Sequence, residues 1–64
     1  MNNFNSNYET INLIEQIGKF EIEIVMNKKL FELQVIPEEL YKIVMDKLLF
    51  KIEGLKEQLE LIVN

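Results

Sequence analysis

The chain contains no cysteine, no histidine and no arginine, and it has one proline and two glycines. Each absence excludes something. Without cysteine there is no disulfide framework, and without cysteine and histidine together there is no zinc-finger ligand set and no imidazole acid–base chemistry. The only serine is Ser6 and the only threonine Thr10, so the usual nucleophile–base arrangements lack parts. No arginine is available for bidentate base contacts. Seven lysines stand against eleven acids, for a net charge of −4 and an isoelectric point near 4.7. Nucleic-acid affinity needs a concentrated cationic surface, so no nucleic-acid partner is expected. No apolar run exceeds three residues, as in Ile24-Val25-Met26 or Leu48-Leu49-Phe50. Neither a membrane span nor a signal-peptide core is therefore expected, and a cytoplasmic protein follows.

What is present is apolar surface in a short chain. Forty-eight per cent of the 64 residues are hydrophobic, yet a chain of this length buries a smaller share of its surface than a larger domain does. Small scaffolds compensate with disulfides, metals or association. Only association remains here.

Residues 1–7 are polar, with one aromatic and no periodicity, and read as a flexible tail ahead of a single domain over 8–64. Ser6 and Glu9 have the spacing of a capping box before Ile11, Ile14 and Ile17, which predicts a short helix closed by Gly18. Residues 19–36 are open to two readings. With period two, Phe20, Ile22, Ile24 and Met26 followed by Phe31, Leu33 and Val35 make a β-hairpin turning at Asn27-Lys28-Lys29. With period 3.6, Ile22, Val25, Met26, Leu30 and Leu33 line a helix. Tight hairpin turns favour glycine after asparagine, and lysine stands there, which favours the helix.

The second half is one helix. Pro37 suits the first helical position, and Glu38 and Glu39 complement the positive end of the dipole. From there Tyr41, Met45, Leu48, Ile52, Leu55, Leu59 and Ile62 recur at spacings of four and three, an unbroken heptad seam. Glu38 and Lys42 form a favourable pair one turn apart. Gly54 marks a place where this helix could bend. Leu40, Ile43, Val44, Leu49, Phe50, Leu61 and Val63 widen the apolar surface beyond what one facing helix covers, so a second polypeptide is expected against it.

The run Lys29-Leu30-Phe31-Glu32-Leu33-Gln34-Val35-Ile36-Pro37-Glu38-Glu39-Leu40-Tyr41-Lys42-Ile43, with the later Lys47-Leu48-Leu49, resembles the SHOCT-type short helical hairpin. In that family a basic and apolar helix leads through an aliphatic turn into Thr-Glu-Glu-x-Tyr and a second helix ending in Lys-x-Leu-Leu. Glu21-Ile22-Glu23-Ile24-Val25-Met26 is similar to the leading turn in small stand-alone members from Gram-positive bacteria, phages and plasmids. The resemblance covers about residues 20 to 50. Glutamine replaces the family's usual glycine at position 34, and proline its threonine or serine at position 37. The resemblance implies a helical hairpin used for association, with no enzymatic activity.

The expectation is therefore an all-α helical hairpin or small three-helix unit with a long C-terminal helix, self-associating as a dimer. The alternative fold is a β-hairpin laid against that helix. The expected function is non-catalytic protein–protein interaction, with no cofactor, no metal and no membrane partner. Contact residues are Tyr41, Met45, Leu48, Ile52, Leu55 and Leu59, with Phe31, Leu33 and Ile36 anchoring the turn; the same seam could instead close an intramolecular core. The paired acids Glu21/Glu23, Glu38/Glu39 and Glu53/Glu57/Glu60 read as solvated faces and helix-end charge. An alternative function is that of a small acidic inhibitor or antitoxin of phage or plasmid type, binding a basic site on a host protein through Glu53, Glu57 and Glu60.

Overall fold

The computed structural model describes the backbone of residues 3–63 and the side chains of residues 8–63. Two helices account for almost all of it: α1, Asn3–Glu32, and α2, Glu38–Val63. They form an antiparallel hairpin, with Leu13 near Ile62 at the open end and Asn27 bonded to Tyr41 near the turn. The hairpin is a rod of 51 × 14 × 11 Å. Among the described residues no helix is long and apolar enough to cross a membrane.

The β-hairpin alternative is not what forms, since residues 19–32 are helical. The reason lies in a seam on α1 that matches the one on α2. Thr10, Leu13, Ile17, Phe20, Ile24, Asn27 and Phe31 recur at spacings of three and four, and all seven are buried or half-buried. On α2, Tyr41, Met45, Leu48, Ile52, Leu55, Leu59 and Ile62 are likewise buried or half-buried. Two such stripes facing each other are the packing of a two-stranded coiled coil. Period two would split the α1 stripe between two faces.

Gly18 does not cap a first helix. It has no positive φ and lies inside one 30-residue α1, because Phe20, Ile24 and Phe31 continue the seam in phase beyond it. Likewise Ser6 lies within α1 instead of at its start, and helix begins at Asn3, inside the stretch that reads as tail. Met1 and Asn2 of that stretch lie outside the described residues. Gly54 leaves α2 uninterrupted to Val63.

The turn explains how a helix ends without glycine. Gln34 takes the left-handed conformation, φ 62°. The Val35 amide donates to the Leu30 carbonyl and the Gln34 amide to the Phe31 carbonyl, both at 2.9 Å, the bond pair of a Schellman motif. Pro37 stands one residue before α2, its carbonyl accepting from the Tyr41 amide at 3.0 Å. A left-handed L-residue costs about 1–2 kcal/mol that glycine avoids. Gln34→Gly is therefore expected to stabilise the protein by roughly 1 kcal/mol after its greater unfolded-state entropy is subtracted, read as a raised urea midpoint.

Candidate association surface

The expected contact residues fall into two groups. Leu48 and Ile52 are each only 6% exposed, and Tyr41, Met45, Leu55 and Leu59 are half-buried beside them. These six lie where α2 packs on α1, so the heptad seam serves the chain's own closure. Phe31 joins them through a stacked contact with Tyr41, with ring centroids 4.5 Å apart and planes 11° from parallel. Ile36 is half-buried at the turn, while Leu33 is exposed.

Two seam residues are polar, Thr10 and Asn27, and Asn27 is the more deeply buried. Asn27 is 5% exposed, and its Nδ2 donates to the Tyr41 carbonyl oxygen at 3.1 Å. An unpaired amide at this depth would cost free energy; here the first turn of α2 supplies the acceptor. A polar residue at a seam position favours the one register that satisfies it. Asn27→Leu is accordingly expected to leave stability unchanged or raise it slightly. It should also permit alternative helix registers, visible as broadened amide resonances around Tyr41.

Among the described residues four apolar side chains are buried, Leu13, Ile17, Leu48 and Ile52, and none is wholly enclosed. Apart from exposed residues such as Ile43, Leu49, Phe50 and Leu61 on α2, two groups of apolar side chains lie together outside the seam. Near the turn, Met26, Leu30, Ile36, Leu40, Val44 and the edge of Leu48 line an open groove between the helices. On the outer side of α1, Ile11, Ile14, Ile22 and Val25 stand at helical spacing around Gly18, each more than half exposed.

Charge is distributed differently. Helical spacing places Glu38, Glu39, Asp46, Glu53, Glu57 and Glu60 along one side of α2, and all six are exposed. Lys42 Nζ lies 3.4 Å from Glu38 Oε2 in the expected pair; both are exposed, so it contributes a few tenths of a kcal/mol, roughly 0.3–0.5. On the opposite side Lys51 and Lys19 sit over the Phe20 ring, at 5.3 and 5.7 Å from its centroid. Among the described residues no three acidic side chains converge as a metal site would require.

The outer α1 stripe and Asn27 escape a reading of the sequence for the same reason. Gly18 looks like a helix end, and asparagine followed by two lysines looks like a turn. Recognising the polar members Thr10 and Asn27 as seam positions would have exposed the continuous helix. The chain matches no protein-family model, no curated protein and no solved structure.

Proposed function

We propose that this chain is a non-catalytic protein-interaction module that works as a homodimer. The observation that carries this is area. A compact protein of 7.6 kDa exposes about 4300 Å2 by the usual scaling, whereas this hairpin exposes 5260 Å2. The excess of roughly 1000 Å2 is close to the ~800 Å2 that each partner buries in a standard stable interface. It is apolar in character, since among the described residues fifteen large hydrophobic side chains are exposed against four buried. With no disulfide and a thin core, a second copy supplies what the single hairpin lacks. The likeness of residues 29–49 to an association hairpin of the SHOCT type supports the same reading.

The acidic side of α2 favours a second reading, an inhibitor-like protein that binds a basic host site through Glu53, Glu57 and Glu60. Salt separates the two. Apolar association persists when ions screen charge, and acidic docking does not. Light scattering of the full chain is expected to give twice the single-chain mass in both dilute and molar salt. A single-chain mass in both would contradict the proposal.

A further inference from the structure

The outer stripe of α1 has a symmetry that nothing in the hairpin explains. Ile11, Ile14, Ile22 and Val25 stand at −7, −4, +4 and +7 from Gly18. At 100° per residue all four lie within about 40° of the direction in which Gly18 faces. The order of apolar positions is therefore the same read in either direction from the glycine. This is the property an isologous interface demands, because a two-fold axis presents each patch to its own copy reversed.

Gly18 itself needs a reason. Glycine inside a helix costs about 1 kcal/mol relative to alanine. Yet a Cβ built on Gly18 would meet nothing within 4 Å, and the residue has no positive φ. Neither the backbone nor the packing of its own chain requires it. A helix crossing close over this point would require it, as small residues at a crossing let two backbones approach.

Resting on the dimer reading above, we infer that two copies pair α1 against α1, antiparallel, with the two-fold axis passing at Gly18. Ile14 then packs on Ile22 of the partner subunit, Ile11 on Val25 of the partner subunit, and Gly18 faces its own copy. On the rim, Glu21 and Glu15 flank the stripe on opposite sides of Gly18, so the axis sets Glu21 on the same rim as Glu21 of the partner subunit. Lys56 of α2 lines the same groove as Gly18 and Glu21, which sets a cation on that rim beside Glu21. The turn-end groove lacks this self-matching order and lies at one end of the rod, where a two-fold would overlap only the turns.

Gly54 provides the internal control. It too is helical with nothing within 4 Å of a built Cβ, but its neighbours at −7, −4, +4 and +7 are Lys47, Phe50, Gln58 and Leu61, which make no matching apolar order. Helix axes about 8–10 Å apart with Cα atoms at a radius of about 2.3 Å place the two Gly18 Cα atoms about 3.5–5.5 Å apart, overlapping the span a disulfide bridges. The chain has no native cysteine to interfere.

The test is mild oxidation of Gly18→Cys and Gly54→Cys, in parallel, as full-length chains. Gly18→Cys is expected to convert to a covalent dimer at least about tenfold faster than Gly54→Cys, since proximity raises the effective concentration. Gly18→Leu should weaken dimerisation at least about tenfold with helix content kept, because leucine is the better helix former. Equal crosslinking rates, with the wild type dimeric by mass, would overturn this placement and leave the dimer standing. A monomeric wild type would overturn both.

Discussion

Leu48→Asp is expected to leave the chain unfolded at room temperature, with its helical circular dichroism lost. Leu48 is one of four buried apolar side chains among the described residues and sits within the seam of α2. Replacing it removes about 2–3 kcal/mol of burial and sets a carboxylate between the apolar seam neighbours Met45 and Ile52. The combined cost of about 4 kcal/mol or more exceeds what a small domain without crosslinks holds in reserve. Ile52→Asp, at the same depth, should behave alike. If either variant keeps wild-type helicity and melting, the seam is not what closes the hairpin.

The paired substitution Ile14→Glu with Ile22→Glu tests the other apolar surface, and its effect should be of another kind. Both side chains are more than half exposed in the hairpin, so a solitary chain would lose little by the change. In the α1-to-α1 dimer, symmetry places four new carboxylates in one apolar seam. With about 1.5–3 kcal/mol for each buried branched side chain, the dissociation constant should rise at least about a thousandfold. Phe50→Glu with Leu61→Glu, at two exposed positions on α2, should leave the mass unchanged. Equal effects from the two pairs in sedimentation experiments would contradict the placement of the interface.

The C-terminal helix was legible because its signals agree. A proline before two glutamates marks its start, and seven apolar residues hold phase across Gly54 to Ile62. The Glu38–Lys42 pair lies where helical spacing puts it. The N-terminal helix was harder because its local signals point away from the tertiary answer. Gly18 and Asn27 carry turn chemistry, yet in the hairpin the first is an open notch and the second a buried donor to Tyr41. Packing against α2 overrides local preference at both, as tertiary context commonly does. Gln34 shows the converse: the geometry that glycine supplies elsewhere is taken up by a residue that pays for it, because the Leu30 and Phe31 carbonyls need donors and the two seams must meet. The division of apolar residues between the seam and the outer faces could not be read until both helices were known to be continuous. The face of α1 that turns inward depends on what it packs against.

The most direct test of self-association is the melting temperature as a function of chain concentration. For a folded dimer, each tenfold increase in concentration adds about 1.4 kcal/mol to stability. The melting temperature should then rise by roughly 5 °C per decade. A cooperative melt that stays at one temperature from low to high micromolar, by a species of 7.6 kDa, would show that the hairpin stands alone and would contradict the proposed dimer.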